Sequence, residues 1–364
     1  MHPQTSLLIV VLVAIFALFI PKFSFFQLKL FSTAIVRNNS TIMPTTTTPT
    51  SSSPASYLFD STKSKTPVFF LSHGGPTFMY PDDARGEPGA YRAVSKVGKY
   101  IRDTIKPQFV IVVSAHWEGS NAIEIGIPES VKQLFEGGNE TLENELIYDF
   151  YNFPDYMYQE KFHTRNSIEL AEDIRNRLKG QGVNAKTTNR GLDHGVWVPF
   201  KVAFSTSKPE GSYWDIDVPL IQVSLKKTED FDIHRRLGEV LSQYRELGGV
   251  VVCSGMSVHN LRELGKALSF DGEALPYVAP FNSLLTKILK KTGEERFNEL
   301  ESLKTEHNTL LRQAHPTIEH FMPIVVAAGA ANDEPARELY NSAKLSLGWG
   351  VYQFGEYEGG FLKL

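Results

Sequence analysis

A single cysteine, Cys253, is present among the 364 residues of the sequence. Intramolecular disulfides are therefore excluded, and so are zinc sites built from several cysteine thiolates. Cys253 lies in an apolar run, which favours a small buried core residue over a reactive thiol. Any metal site in this protein must consequently use the side chains of His, Asp or Glu.

The sequence also lacks a cluster of basic residues. Its 37 Lys and Arg are outnumbered by 41 Asp and Glu, for a net charge of −4. Because nucleic-acid binding relies on neutralising phosphates with Lys and Arg, nucleic acid is not expected among the partners. Hydrophobic residues make up 42% of the chain, which is enough for a large core in one large domain or two small ones.

Residues 1–59 contain no Asp or Glu, unlike the rest of the chain. Their apolar run, residues 7–20, is shorter than the ~20 residues that span a bilayer, and no Lys or Arg precedes it as in a signal peptide. A Thr/Ser/Pro-rich tract over residues 44–54 is predicted to be disordered. We expect residues 1–59 to be an extension that serves targeting or anchoring or is unused, and residues 60–364 to be the folded domain.

The location of the protein depends on whether that extension is used. The folded domain is expected in the cytoplasm, and membrane contact is expected only through residues 7–20. Anchoring to a membrane or delivery to an organelle through this segment is the alternative.

Apolar, β-branched runs alternate with amphipathic helical patterns from residue 67 onward. Runs at residues 67–71, 109–113 and 249–253 are typical of strands buried on both faces of a parallel sheet. Further strands are predicted at 122–127, 183–186 and 218–225, and helices at 91–105, 167–178, 231–247, 279–291, 294–312 and 318–331. Residues 137–154, rich in Gly, Asn, Tyr and Phe, are expected to form an irregular loop. The alternation predicts a single α/β domain with a central, mostly parallel or mixed sheet flanked by helices.

Histidines follow the three buried strands near the point where each strand ends. His73 comes after residues 67–71, His116 after residues 109–113, and His259 after residues 249–253 and a short polar stretch. Because the carboxyl ends of parallel strands meet at one edge of a sheet, these side chains are expected to lie close together. The sequence thus predicts a metal site at that edge.

Three more histidines lie in loop-like contexts. His194 sits between two glycines beside Asp193, where a plain turn and a substrate-facing role are equally compatible with the sequence. His315 and His320 flank a segment that begins with Pro316, which suits the first turn of a helix, and His320 is the better ligand candidate of the two. Surface positions are expected for the histidines that lie among charged residues, which are His163, His234 and His307.

The chemistry of these side chains limits the kind of site they can form. A mononuclear metal site uses three protein ligands and keeps open positions for its reactants. A set of histidines with a carboxylate suits Fe(II), and a set of three histidines suits zinc or iron. Histidines beyond these three can carry protons, because imidazole titrates near neutrality.

Five motifs, in their order along the chain, resemble those of class III extradiol ring-cleavage dioxygenases, in particular the 4,5-DOPA dioxygenase extradiol-like branch. They are Ser72-His73-Gly74-Gly75-Pro76, Ser114-Ala115-His116-Trp117, Gly191-Leu192-Asp193-His194-Gly195, Val258-His259-Asn260-Leu261-Arg262 and Pro316-Thr317-Ile318-Glu319-His320. The resemblance covers residues 66–364 and does not extend to residues 1–59. It implies a single α/β domain with one non-haem metal.

The resemblance implies a role for each motif histidine. Glu319 stands beside His320 and is the alternative to it as third metal ligand. His259 is expected to be the active-site base and to lie close enough to bind the metal as well, and His194 is expected to orient the bound substrate and oxygen. Fe(II) is expected for activity, and Zn(II) can occupy such a site. The expected metal ligands are His73, His116 and His320, with His259 beside them.

The implied reaction inserts O₂ into a small aromatic diol, next to the diol rather than between its oxygens, and opens the ring. The diol and O₂ are thus the expected partners, but the motifs do not identify the catechol. The rest of the substrate is expected to contact residues 137–154 and 270–280. Four aromatic side chains of the first segment could stack on a substrate ring or pack the loop itself: Tyr148, Tyr151, Phe153 and Tyr156.

Two other functions are compatible with the histidines alone. A zinc ion held by three histidines with an open position could activate water, as in a hydrolase. A binding protein could also keep such a site without catalysing a reaction. Oxygen consumption with a catechol would distinguish the dioxygenase from both.

Overall fold

The computed structural model describes residues 64–83, 85–129, 134–136, 139–269 and 273–364. The expected boundary between residues 59 and 60 lies outside these residues, as does the apolar segment 7–20. The described residues all belong to one unit, Ser52–Leu364. None of their helices is long and apolar enough to cross a membrane.

Strands and helices alternate through most of the described residues. The strands are β1 (Val68–Ser72), β2 (Phe109–Gly119), β3 (Ile123–Ile127), β4 (Leu134–Glu136), β5 (Asn139–Glu143), β6 (Thr164–Asn166), β7 (Ala185–Asn189), β8 (Ile216–Lys226), β9 (Gly249–Gly255), β10 (Val258–His259), β11 (Ala336–Tyr340), β12 (Ala343–Lys344), β13 (Leu347–Gly348) and β14 (Val351–Phe354). The helices are α1 (Pro88–Tyr100), α2 (Ile168–Gly180), α3 (His194–Phe204), α4 (Phe231–Ser242), α5 (Leu264–Leu268), α6 (Val278–Leu289), α7 (Gly293–Ser302), α8 (Asn308–Ala314) and α9 (Met322–Ala331).

Most of the strands form one mixed sheet, in the order β11-β14-β1-β9-β2-β8-β6-β5-β4, with β3 joined to β8 and β7 to β3. The central strands β1, β9, β2 and β8 are parallel, and antiparallel β14 covers the outer edge of β1. Ser72 pairs with Gly255 and Ser114 pairs with Ser254, so β1 and β9 end at the level where β2 leaves its pairing with β9. The predicted α/β fold with a central mixed sheet is confirmed.

Alternate residues of the central strands pack against helices on opposite faces of the sheet. Phe69 and Val252 belong to the core that contains the apolar residues of α1 and α3. Phe70 and Val251 belong to the core that contains those of α2, α4, α6 and α9. Because successive side chains of a strand point to opposite faces, an uninterrupted apolar run supplies both cores. Cys253 is completely buried in the second core, as the sequence indicates.

Helices α4 and α9 touch through their backbones. A Cβ atom on Gly238 of α4 would overlap the carbonyl oxygen of Val326 and lie 2.6 Å from the backbone nitrogen of Ala330. A Cβ atom on Gly329 of α9 would likewise overlap the carbonyl oxygen of Arg235. Glycine at both positions therefore permits a helix contact that any side chain would prevent.

One expected loop contains a strand. Residues 139–143 were expected in the irregular segment 137–154 but form β5, which pairs antiparallel with β6. The prediction is wrong here because the strand depends on a partner some twenty residues away, whereas the local composition is typical of a loop. The remainder of the segment, from residue 144, contains no strand longer than a single bridge.

The C-terminal region departs from the helical prediction at three places. The helix expected over residues 294–312 is divided into α7 and α8 by turns at residues 303–307, and α9 begins at Met322 rather than at residue 318. The short strands β11 to β14 were not predicted at all. Strands β11 to β13 are two to five residues long and mostly half-buried, so they carry no apolar run. Strand β14 is fully buried but has only four residues, one of them Gln353, and it holds β11 by pairing.

Candidate metal centre

The ends of β1 and the bent part of β2 bring His73 and His116 together, and His320 reaches the same point from the turn before α9. The Nε2 atoms of His73 and His116 lie 3.1 Å apart, and those of His116 and His320 lie 3.3 Å apart. Nitrogen ligands about 2.0–2.1 Å from one metal ion lie roughly 3 Å from each other. The three imidazoles thus have the spacing of a ligand set, at the edge of the sheet where the sequence predicts it.

Hydrogen bonds at the far side of two rings determine which nitrogen faces the centre. The hydroxyl of Ser254 donates to the carbonyl of Gly195, so its oxygen, 3.0 Å from Nδ1 of His73, accepts the Nδ1 proton. Nδ1 of His320 lies 2.9 Å from a carboxylate oxygen of Glu319, which can only accept. Both rings therefore carry their proton on Nδ1 and direct the lone pair of Nε2 to the centre.

The end of β9 positions His320. The backbone N–H of Met256 donates to the carbonyl oxygen of His320 at 3.0 Å. A Cβ atom on Gly255 would overlap that same oxygen, so glycine is required for the close approach. The segment from Pro316 to the start of α9 at Met322 forms bends and turns and not the expected first turn of a helix.

His116 is directed to the centre by an irregularity in β2. The pairing of β2 with β8 shifts register between Ser114 and Glu118, which lets the strand bend over the edge of the sheet. The hydroxyl of Ser114 accepts the backbone N–H of His116 at 3.1 Å and donates to Asp193 at 2.7 Å. Asp193 is fully buried, and burial raises the pKa of its carboxyl, with the charge of Asp149 adding to the effect.

His194 and His259 lie next to the three converging imidazoles. The His194 ring is 4.0 Å from the His116 ring, centroid to centroid, and the His259 ring stacks on that of His320 at 3.6 Å and 15°. His259 does not follow β9 directly: it belongs to β10, in a separate small sheet with β13 and β12. The structure thus places all five motif histidines in one cluster.

Burial lowers the pKa of four of the clustered histidines. The pKa of His116 falls to about 3, with His194 adding to the effect and Asp149 opposing it, and that of His259 falls to about 4. For His73 and His320 burial and the neighbouring imidazoles hold the pKa well below the ordinary value of 6.5. These four side chains are therefore neutral at pH 7, as metal ligands and proton acceptors must be.

The sequence analysis did not identify Asp149, whose carboxylate lies beside the cluster. Its Oδ1 is 2.9 Å from Nδ1 of His194, and its Oδ2 is 3.9 Å from Nδ1 of His116. Burial alone would raise the pKa of Asp149, but the hydrogen bonds and charge of His194 lower it overall. No pattern in the Tyr-Asp-Phe-Tyr stretch around Asp149 distinguishes it from an ordinary loop residue.

The remaining histidines of the described chain lie outside the cluster. His315, the weaker ligand candidate, is fully buried and donates from Nε2 to the carbonyl of Ser257 at 2.9 Å. The surface prediction is wrong for His234, which is completely buried with Nδ1 2.8 Å from the carbonyl of Asp230. That bond closes the first turn of α4 and satisfies the imidazole inside the core. His163 and His307 are half-buried.

Replacement of His315 with glutamine is expected to flatten the pH dependence of stability. Burial lowers the pKa of His315 to about 3, against about 6.5 for an unfolded histidine. Between these values the unfolded chain binds a proton that the folded protein does not, so stability falls by about 1.4 kcal/mol per pH unit as the pH falls. His315→Gln should remove this slope between pH 6 and 4 in urea unfolding of the metal-free protein. At pH 8, where the histidine is neutral in both states, the difference in free energy of unfolding between the two proteins measures the structural cost of the substitution alone. An unchanged slope of stability against pH in the variant would contradict the prediction.

The four aromatic residues considered for substrate stacking differ in environment. Tyr148 packs edge-on against Trp197 at 5.3 Å, and Phe153 packs against Phe150 at 5.6 Å, as loop packing requires. Tyr151 and Tyr156 are 79% and 51% exposed. Of the second segment expected near the substrate, residues 270–272 lie outside the described chain.

Comparisons with known proteins agree with the resemblance. Residues 67–353 match the family described as the catalytic LigB subunit of aromatic ring-opening dioxygenase. A 4,5-DOPA dioxygenase extradiol-like protein of Schizosaccharomyces pombe is 31% identical over 78% of this chain and 91% of its own length. A 4,5-DOPA dioxygenase extradiol of Beta vulgaris is 32% identical over 80% of this chain and 95% of its own. The crystal structure of an uncharacterized Escherichia coli K12 protein shares the fold, with a TM-score of 0.59 and 24% identity over 79% of this chain and 99% of that one.

The family match spans nearly all of the described residues. It favours the dioxygenase over the hydrolase and over the binding protein without activity, the alternatives that the histidines alone leave open. Dioxygenases of this family depend on a non-haem metal, and the clustered histidines can hold one. The chain therefore belongs to the LigB family of aromatic ring-opening dioxygenases and is an oxidoreductase.

Proposed function

We propose that this protein is an extradiol dioxygenase that cleaves a catechol ring with Fe(II) held by His73, His116 and His320. The observation that carries the proposal is the convergence of three imidazole Nε2 atoms at 3.1 and 3.3 Å. Two of these rings have their Nδ1 proton engaged by a neighbouring oxygen, so their Nε2 lone pairs are available. Three neutral ligands leave open positions for a diol and for O₂.

The donor set fits iron and also admits zinc. Imidazole nitrogen binds both metals, but Zn(II) has no redox chemistry and would hold a diol without activating O₂. Bound Fe(II) would supply the Lewis acidity that lowers the pKa of the diol hydroxyls and the redox chemistry that O₂ requires. We therefore expect iron in the active enzyme, and zinc as an inactive substitute.

His259 is proposed as the base that accepts a proton from the diol. Its ring is stacked on that of His320, so it lies directly beside a proposed ligand. Burial keeps its pKa near 4, and it is neutral and able to accept a proton at pH 7. The proton passes from a diol hydroxyl to an imidazole nitrogen of His259 as the diol oxygen becomes negatively charged.

His194 is proposed to orient the substrate. Its ring lies beside that of His116, whereas the ring of His259 stacks on that of His320. A hydrogen bond from this side would hold the diol so that O₂ reaches the carbon next to the diol. Both oxygen atoms then enter the product, and the ring bond adjacent to the diol is the one that breaks.

The catechol is proposed to carry a DOPA-like side chain. The support is the naming of relatives from Schizosaccharomyces pombe, Beta vulgaris and Escherichia coli, which match 84% or more of their own length. L-DOPA is accordingly the first substrate to test, with dihydroxyphenylacetate and caffeate as catechols of different side-chain charge.

Oxygen uptake by the Fe(II)-reconstituted protein tests the proposal. The protein should consume one O₂ per catechol and form a product that absorbs visible light. His259→Ala should keep its iron but lose turnover by about 10²–10⁴-fold, the range of general base catalysis. His307→Ala, the same change between α7 and α8, is the control and should behave as the unmodified protein. Tightly bound zinc with no uptake from any catechol after iron loading would contradict the proposal.

A further inference from the structure

Asp149 connects the proposed substrate-orienting histidine with a proposed metal ligand. One carboxylate oxygen accepts the backbone N–H of His194 at 2.9 Å and lies 2.9 Å from Nδ1 of the same residue. The other oxygen lies 3.9 Å from Nδ1 of His116. The side chain of Asp149 is 23% exposed, so this arrangement is largely shielded from water.

The start of α3 explains why the carboxylate of Asp149 is needed. The N-cap residue of this helix is Asp193, and its side chain makes no hydrogen bond to the helix. It accepts instead from Ser114 and Gln222. The backbone N–H of His194 at the first position of α3 has no partner within the helix, and it donates to Asp149, from a loop forty-five residues earlier.

The loop that carries Asp149 is fastened to the same helix. The backbone N–H of Ile147 donates to the carbonyl of Leu192 at 2.8 Å, and the indole N–H of Trp197 donates to the carbonyl of Ile147 at 2.9 Å. These bonds lie on both sides of the helix start and fix the loop two residues before Asp149. The loop is thus held by bonds to the start of α3, and the carboxylate itself is held by the backbone N–H of His194.

The position of the carboxylate favours one tautomer of His194. Its oxygen lies 2.9 Å from Nδ1 in a geometry that makes no hydrogen bond to the ring, so it acts on the ring through its charge. A negative charge at this distance repels a lone pair and attracts a proton, which favours the proton on Nδ1. The Nε2 lone pair of His194 is then free to accept a hydrogen bond from a substrate hydroxyl. The same argument, weakened by the longer distance, favours a proton on Nδ1 of His116 and a lone pair on its Nε2, where the metal is proposed.

We propose that Asp149 is a positioning residue which holds His194 in the orientation and tautomer for substrate binding and supports His116 as a ligand. The proposal rests on the proposed function for the role of His194. One carboxylate would thus position both a histidine that contacts the substrate and a histidine that binds the metal.

A double-mutant cycle tests the coupling of Asp149 to His194. Asp149→Asn retains the shape and an oxygen for the backbone N–H, and it should keep its iron while kcat falls about 10–100-fold, the usual loss for an outer partner of a metal site. In a His194→Ala background the same substitution should cost less than about threefold in kcat. Asp149→Glu, which restores the charge, should recover part of the loss. Equal costs in both backgrounds would overturn the proposal.

Nitrogen NMR of the metal-free protein, labelled with ¹⁵N-histidine, provides a test that does not need turnover. The His194 signals, identified by their loss in His194→Ala, should show the proton on Nδ1. In Asp149→Ala the tautomer should shift toward Nε2–H, which dominates in free imidazole side chains. An Nε2–H tautomer in the unmodified protein would overturn the proposal. If no catechol is cleaved, the proposed function fails, while this measurement still decides the role of Asp149.

Discussion

Replacement of His320 with alanine is expected to abolish metal binding and to lower ring-cleavage turnover by at least about 10³-fold. A loss of this size corresponds to several kcal/mol of transition-state stabilisation that the metal would otherwise supply. The reason is geometric: the Nε2 atom of His320 lies 3.3 Å from that of His116 and completes the converging set. Glu319, the alternative third ligand, contacts the opposite ring nitrogen of His320 at 2.9 Å. The structure therefore predicts different consequences for these neighbouring residues.

Glu319→Gln is the matched comparison. The amide oxygen can still accept the Nδ1 proton of His320, so the ring should keep its orientation and lose only the support of a full charge. Metal affinity should fall about 10–100-fold and metal should still bind at saturation. Metal analysis and oxygen uptake of both variants, with His307→Ala as control, check the prediction. Metal retained in His320→Ala but lost in Glu319→Gln would assign the third position to Glu319.

Gly238→Ala is expected to destabilise the protein by about 3 kcal/mol, the upper part of the range for overpacked cores. The added methyl group would overlap the carbonyl oxygen of Val326 and press on the nitrogen of Ala330, which are backbone atoms of α9 and cannot rotate away. The helices must separate, and the loss exceeds the gain of up to ~1 kcal/mol from replacing glycine within a helix. Urea unfolding at pH 8 measures the change in the free energy of unfolding.

Gly180→Ala provides the control for this substitution. Gly180 is the last residue of α2, and no atom lies within 4 Å of the position that its Cβ would occupy. The same chemical change should therefore leave the free energy of unfolding unchanged or raise it by up to about 1 kcal/mol. Similar stabilities for the two variants would show that α4 and α9 are not in backbone contact.

The strands and helices that could be predicted are those specified by a pattern within a few neighbouring residues. The runs that form β1, β2 and β9 are apolar on both faces of the strand, which is typical of strands covered by helices on both sides of a sheet. They could therefore be assigned as buried strands without knowledge of the fold. The position of His73 and His116 near the ends of such runs was sufficient to expect a cluster at one edge. The division of α7 from α8 was missed because charged helical residues continue through the turns that separate them.

The candidate site was predictable as a set of residues but not as an arrangement. His234 and His315 both lie in ordinary helical or loop sequence, yet each is completely buried because the fold packs other segments around it. The partner of His315, the carbonyl of Ser257, comes from a distant segment, whereas that of His234, the carbonyl of Asp230, lies in the same turn. Asp149 has no distinguishing neighbours in sequence. Its proximity to His194 depends on a loop that the tertiary structure fastens to α3.

The sequence by itself determined the α/β class, the buried central strands and the histidines that meet at their ends, because periodicity and residue type act within a few residues. Only the tertiary structure decided the order of the strands, the pairing of β5 and of β11 to β14, the approach of His320 over Gly255, and the contact of Asp149 with two imidazoles. Each of these depends on hydrogen bonds or packing between segments far apart in the chain, whose geometry no local pattern specifies.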